Sequence, residues 1–330
     1  MCARSAFPVS NPFHARVRWH DGRVIVVAGE ALVELVVGPD GALTAVPGGA
    51  PYNVARTCGR LGAPVALWAP LSGDVFGRRL AAGLADAGVG VELVQHTDRP
   101  TTLALAELDA SGTATYRFYL AGTSITALAP ITLGPGVDAV VTGGLGLAVE
   151  PMASVIEAAV LAAPPSVLVV VDLNCRPAVV DDPDAWAARL GRLLGRVDVV
   201  KASVEDLAWW RPGREAAAAA EELLALGPAA VLVTDGSAPT RVHTRTGTVT
   251  VPVEPVAVAD TIGAGDAFTA GFVVWWLGRG RGRAGLADPE AVRAAVGAAH
   301  AVAAAVVTRR GADPPTLADL PPTWHPQSHI

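Results

Sequence analysis

The chain has 330 residues, 51% apolar and 17% charged, with a formal net charge of −6. Enough apolar side chain is present to bury a large core, which excludes a disordered protein. Mild acidity without a basic run excludes nucleic acid and anionic membrane surfaces as natural partners.

Residues 1–23 carry Pro8 and Pro12 and no apolar core segment, so a loose leader is expected there. Six short runs then read as strands apolar on both faces: VIVVA (24–28), PVALWAP (64–70), VDAVVTG (137–143), SVLVVVD (166–172), VDVVKAS (197–203) and AVLVTDG (230–236). Helices are predicted between and after them, over 49–62, 75–88, 150–162, 184–195, 215–226, 266–278 and 289–307. In the first, Val54, Cys58 and Leu61 repeat at i, i+4, i+7, and Gly88 closes the second. This alternation predicts an α/β fold, a mostly parallel sheet covered on both faces.

Two segments break the rhythm. Residues 101–120 alternate about an Asp109-Ala110-Ser111-Gly112 turn, with Ala114, Tyr116, Phe118 and Leu120 on one face and Thr115 and Arg117 on the other. Residues 31–46 read as two short strands around Gly38-Pro39-Asp40-Gly41. A small β-sheet standing off the main sheet is expected. The domain runs over 24–320, with these lid segments at about 31–47 and 98–122 and a tail over 321–330.

Three dispersed cysteines without a C-x-x-C pair speak against zinc or a disulfide framework and for a reducing cytoplasm. The uncharged stretch at 294–308 is shorter than a membrane span needs. Of the 25 basic residues only Lys201 is a lysine, and Ala202 follows it, so no Walker-A loop exists.

The segment DTIGAGDAFTAGF (260–272) sets a Gly-Ala-Gly-Asp turn before an apolar helix. Gly263 and Gly265 allow close backbone approach, and the first helical N–H groups and the dipole favour an anion. Asp266 beside such an anion hole repels phosphate, which makes sense if it is the base for an incoming hydroxyl. The plainer reading is an Asp-capped turn. A Rossmann fingerprint fails because Phe268 holds the third glycine position. GGAPYNVARTCGRLGA (48–63) puts Gly48 and Gly49 before another helix, with Asn53 one turn in as donor and acceptor.

These two segments resemble the two signatures of the PfkB (ribokinase-like) carbohydrate kinase family. VIVVAGEALVEL (24–35) resembles its first strand and substrate loop, PTTLALAELDASGTATYRFY (100–119) its lid hairpin, and VDLNCRP (171–177) its D-x-N-x-R-P element. DVVKASVEDL (198–207), VLVTDGS (231–237) and RRGADPPT (309–316) follow in family order. The resemblance implies a ribokinase-like fold and transfer of a phosphoryl group from ATP to a sugar or nucleoside hydroxyl, with Mg²⁺ and in many members K⁺. It implies Asp266 as base, with Gly263, Ala264 and Gly265 holding the phosphoryl oxygens. Glu34, Gly48, Gly49, Asn53 and Arg176 fall at sugar-contacting positions, Glu34 where many members have Asp. Lys201, Ser203, Thr234 and Gly236 fall on the nucleotide side, with adenine expected between 256–259 and a helix bearing His300. Ser203-Val204-Glu205-Asp206 stands for the usual N-x-x-E, so Asp206 or Glu205 is expected to meet the metal through water. Asp260, Ile262 and Gly311 mark the monovalent-cation position.

The local variants lean to the fructokinase-like subgroup and hence to fructose. 2-Keto-3-deoxygluconate kinase is the alternative, and a catalytically weak sugar- or nucleotide-binding sensor is the alternative of another class. Leu120 stands where relatives often place Arg after the lid aromatics, which disfavours an acidic sugar; Arg99 and Arg117 are the substitutes to consider. The apolar lid face with Tyr116 and Phe118 predicts a homodimer through the lids.

Overall fold

The computed structural model describes residues 23–38, 40–108 and 114–324. The leader up to residue 22, the Asp109–Gly112 turn, Pro39 and residues 325–330 lie outside them.

In chain order the elements are β1 (Val24–Ala28), β2 (Leu32–Val37), β3 (Leu43–Gly48), α1 (Ala50–Arg60), β4 (Val65–Trp68), β5 (Pro70–Ser72), α2 (Val75–Asp86), β6 (Gln95–Thr97), β7 (Leu103–Leu108) and β8 (Ala114–Tyr119). Then come β9 (Val137–Gly143), α3 (Met152–Leu161), β10 (Leu168–Asp172), α4 (Pro183–Leu194), β11 (Val199–Ser203), α5 (Val204–Trp210) and α6 (Ala216–Ala225). The chain closes with β12 (Ala230–Asp235), β13 (Ala238–Thr244), β14 (Gly247–Val251), α7 (Ala264–Gly278) and α8 (Pro289–Val307).

The main sheet runs β14-β13-β12-β11-β10-β9-β1-β4. It is parallel from β12 to β4, with β13 and β14 adding an antiparallel edge. Strand alternation sorts the core into two layers. Ile25 and Val27 join α1, α2, α7 and α8 on one face; Val24, Val26 and Ala28 join α3, α4, α5 and α6 on the other. All five residues of β1 are buried, which is why no polar alternation marks it.

Helix α8 is long and apolar enough to cross a bilayer by composition, with mean hydropathy 1.4. Its Val292, Val296, Ala299, Val302 and Val306 instead form a buried stripe. Against it, a Cβ on Gly271 of α7 would stand 2.8 Å from Val302 Cγ2, so glycine sets the closeness of the two helices. Beyond the expected domain end, Trp324 is buried and its indole N–H donates to Ala298 O of α8 at 3.0 Å. The first residues of the expected tail therefore pack on the core.

The lid is a four-stranded sheet, β3-β2-β7-β8, with β2 and β7 parallel and the outer pairs antiparallel. Its hinge is polar. Asp74 caps α2 through Gly77 N–H at 2.8 Å and accepts from both Thr101 N–H (2.7 Å) and Thr101 Oγ1 (2.6 Å). Thr102 Oγ1 meets Thr123 Oγ1 at 2.9 Å and Ser124 Oγ at 3.1 Å, so both ends of the β7–β8 hairpin are tied at one point.

The lid faces are the reverse of the expectation. Phe118 packs against the core on the α3–α6 side, and Tyr116, whose ring centroid stacks 6.2 Å from it, feels the charges of Glu34 and Arg176. That face therefore looks toward the cleft. The opposite face carries exposed Leu43 and Tyr119 and the Arg117–Glu107 ion pair at 3.7 Å. Arg117 thus points away from the cleft. Arg99 is held at the hinge, donating to Thr126 O at 2.9 Å, so neither expected substitute cation faces the sugar side; Leu120, on the Tyr116 face, packs on the core.

The β13–β14 hairpin, α5 and the parallel β5–β6 pair were not expected. The first was hidden because Gly236, at φ 52, reads in sequence as the end of β12 rather than as a turn into a new hairpin.

Candidate active site

Most expected site residues lie at the carboxyl ends of the parallel strands or at the helix N-termini facing them, as strand-end crevices in open α/β sheets predict. Glu34 lies within lid strand β2, Gly48 ends lid strand β3, Gly236 is in the turn after β12 and Gly311 in the loop after α8.

The Gly-Ala-Gly-Asp turn begins α7. Gly263 has left-handed φ 78 at the N-cap, and a Cβ there would stand 2.8 Å from Ala312 Cβ, so both conformation and space demand glycine. Of the amides that follow, that of Ala264 donates to Thr261 O at 3.2 Å, while those of Gly265 and Asp266 have no side-chain cap and face the position an anion would take. Asp266 sits in the first turn, 8% exposed. Asn53 of α1 donates from Nδ2 to Asp266 Oδ2 at 2.8 Å. Burial lifts the Asp266 carboxyl to about 6, helped by Asp172 and opposed by Asn53, Lys201 and Arg176. A carboxylate with one oxygen held and a pKa near neutrality is suited to take a proton from a hydroxyl.

Gly48 makes room for the Glu34 carboxyl and Gly49 for the backbone of Glu30. A Cβ on Gly48 would stand 2.9 Å from Glu34 Oε1, and one on Gly49, at φ 103, would stand 2.9 Å from Glu30 O. Glu34 is half-buried on the inner lid face; burial raises its pKa and Arg176 opposes this. Among the described residues Arg176 donates to Asn174 O (3.3 Å) and Cys175 O (3.0 Å), and its charge acts on Glu30, Glu34 and Asp266 alike. It is the common cation of the cleft.

The nucleotide side is less uniform. Ser203 and Thr234 are register partners at the ends of β11 and β12. Ser203 caps α5 in a reciprocal box: its hydroxyl accepts from Asp206 N–H at 3.1 Å, and Asp206 Oδ2 accepts from Ser203 N–H at 2.8 Å. Asp206 Oδ1 accepts from Cys175 N–H at 2.7 Å. Both Asp206 oxygens thus accept from backbone amides, and Glu205 is exposed beside it. Lys201 is 6% exposed and its Nζ donates to Asp172 Oδ1 at 3.0 Å, beneath the turn. Asp260 joins the cation trio by accepting from Ile262 N–H (3.0 Å) and Gly311 N–H (2.8 Å). His300 is packed: Thr240 Oγ1 lies 2.8 Å from Nε2 and Pro252 O 3.1 Å from Nδ1.

Three residues were given no role in the sequence reading, Asp172 among them although it opens the D-x-N-x-R-P element. Glu30 is 3% exposed, with Oε1 accepting from Ala50 N–H at 3.3 Å and Oε2 unpartnered among the described residues. Burial lifts its pKa to about 7. Asp172 and Thr269 are buried and bonded to each other. For Glu30 and Asp172 a charged residue at or just past the end of an all-apolar strand, as in VIVVAGE and LVVVD, was the available signal.

Comparison with known proteins agrees with this fold. The model of the pfkB family carbohydrate kinases matches residues 25–319, and the chain belongs to that family. It is therefore a sugar kinase. A fructokinase of Rhizobium leguminosarum bv. trifolii is 34% identical over 258 residues, covering 76% of this chain and 78% of that one. A Xylella fastidiosa fructokinase structure with bound ATP superposes with TM-score 0.81 at 30% identity, over 90% of this chain and 97% of that one. A Vibrio cholerae O395 fructokinase in fructose-, ADP- and calcium-bound form superposes with TM-score 0.80 at 26% identity, over the same shares.

Proposed function

We propose that the chain is a fructokinase, moving the γ-phosphoryl group of ATP to a hydroxyl of fructose. The observation that carries this reading is the Asn53–Asp266 hydrogen bond, which joins the two signature segments in one buried acceptor for a proton. Asp266 Oδ1 takes the hydroxyl proton while Asn53 holds Oδ2. The amides of Gly263 and Gly265 meet the transferring phosphoryl oxygens, and that of Ala264, bonded to Thr261 O at 3.2 Å, holds the turn in shape. Positioning and charge then supply most of the rate, since phosphoryl transfer asks little covalent chemistry of the protein.

Glu34, Gly48, Gly49 and Asn53 line the sugar side with acceptors suited to hydroxyls, and Arg176 serves either phosphoryl or sugar oxygens. Three carboxyls, Glu30, Glu34 and Asp266, gather at the cleft against the two cations Arg176 and Lys201, which favours a neutral sugar over 2-keto-3-deoxygluconate. Ser203, Thr234 and Gly236 serve the nucleotide. Among the described residues no three His, Cys, Asp or Glu side chains cluster as metal ligands. That suits Mg²⁺ carried by ATP phosphates and waters, with exposed Glu205 placed to hold one of those waters. When bound, the ion neutralises phosphate charge. K⁺ would sit by the Asp260, Ile262 and Gly311 loops. The enzyme acts in the cytoplasm as a homodimer, joined through the outer lid face with Leu43 and Tyr119.

The test is ADP release over fructose, ribose, 2-keto-3-deoxygluconate, adenosine and fructose 6-phosphate. Highest kcat/KM with fructose supports the reading, and preference for the keto-acid overturns it.

A further inference from the structure

Beneath the catalytic turn runs a buried polar chain that neither proton transfer nor sugar recognition uses. Lys201, the single lysine of the chain, ends β11, and its Nζ donates to Asp172 Oδ1 at 3.0 Å at the end of β10. Thr269 Oγ1 of α7 donates to Asp172 Oδ2 at 2.9 Å. All three residues are at most 6% exposed. Asp172 and Lys201 are register partners on adjacent strands, so their spacing is fixed by the sheet. Thr269 lies three residues after Asp266, on the same side of α7 one turn on.

The lysine reaches up as well as across. A Cβ on Gly265 would stand 3.1 Å from Lys201 Nζ. The ammonium therefore lies directly under the turn, with only one of its three donors bonded to a described protein group. Its compact point charge fits that space, whereas the planar fork of an arginine needs more. A chain that uses arginine at every other basic position keeps lysine here.

We infer that Lys201, Asp172 and Thr269 are positioning residues for phosphoryl transfer: they bolt the first turns of α7 to the strand ends and hold one cation under the anion-binding amides. The inference rests on the kinase reading above, and it assigns these residues to the height of the turn rather than to contact with nucleotide. Hydrogen bonding from two sides fixes the Asp172 carboxylate, so Asp172 transmits the position of the sheet to the helix that carries Asp266.

The ionic half of the chain also bears on the base. The charged groups acting on Asp266 are Glu30 after β1, Asp172 on β10, Arg176 after β10 and Lys201 on β11, with Asp206 of α5 acting on Lys201 and Asp172. Asp172 raises the Asp266 pKa and Lys201 lowers it. Neutralising Asp172 alone leaves the lysine charge facing Asp266. Removing Lys201 instead leaves a buried, unpaired Asp172 that takes up a proton, so the two effects on Asp266 nearly cancel.

Four variants test this with the full chain. Thr269→Val should lower kcat about tenfold with the KM for sugar and ATP unchanged, and Thr269→Ser, which keeps the hydroxyl, should restore most of it. Asp172→Asn should move the acid limb of kcat/KM down by about half to one pH unit, and Lys201→Met should leave it near wild type. A purely structural role would lower Tm in all of them without moving the limb or separating Val from Ser. Wild-type kcat in Thr269→Val, or an unmoved limb in Asp172→Asn, overturns the inference. If fructose itself supports no turnover, the acceptor assignment fails instead. The variants are then compared with the sugar that does, or by carboxyl ¹³C titration of Asp266 in the free protein. Should Asp172→Asn not fold, the Thr269 pair decides alone.

Discussion

Asn53 and Asp266 stand 213 residues apart in the chain and 2.8 Å apart in the fold. Helices α1 and α7 pack side by side on one face of the sheet, and their N-termini bring the pair together at the strand ends. Asn53 donates to the ionised carboxylate and so opposes the burial that raises its pKa. Asn53→Leu should therefore move the acid limb of kcat/KM upward from about 6 and raise the sugar KM. Rate profiles between pH 5 and 9 measure both, and a limb that stays would separate Asn53 from the base.

The second prediction concerns the hinge. Asp74 both caps α2 and holds Thr101, and Asp74→Ala should cost about 1–2 kcal/mol and loosen the lid. Burial pushes the Asp74 carboxyl up, but bonds from Thr101, Gly77 and Ser72 outweigh it and bring the pKa down to about 2. A depressed carboxylate contributes stability that is present above its unfolded value near 3.8 and lost as pH falls through about 2. Denaturant midpoints should show the difference between wild type and Asp74→Ala at pH 7 shrink toward pH 2. Hydrogen exchange of β7 should rise in the variant.

Much of the fold was legible because the strands are short, continuous and apolar, as strands covered on both faces must be. The two signature segments were legible because glycine pairs before apolar helices leave few local alternatives. What stayed hidden depends on contacts across the sheet. Nothing in VEDL says that Asp206 bonds back to Ser203 and across to Cys175, and nothing local says that Lys201 points at Asp172. The lid faces came out reversed for a similar reason. Alternation shows that Tyr116 and Phe118 share a face, but which face meets the cleft is set by how β7 and β8 dock beside β2.

The third prediction follows from that reversal. Leu43, 61% exposed, and Tyr119, 54% exposed, mark the outer lid face as apolar and uncovered in a single chain. Leu43→Glu combined with Tyr119→Asp should give a monomer where the wild type is a dimer. Light scattering at micromolar concentration reads this directly. A monomeric wild type would remove the lid dimer from the account.

The central claim is that Asp266 is the base that lets fructose accept phosphate, and ADP release by wild type and Asp266→Asn across pH tests it most directly. The account predicts fructose-dependent ADP release in the wild type, falling as pH drops through about 6. It predicts a loss of roughly 10²–10⁴-fold in kcat in the variant, with ATP affinity little changed. An Asp266→Asn enzyme that keeps most of its turnover would contradict it.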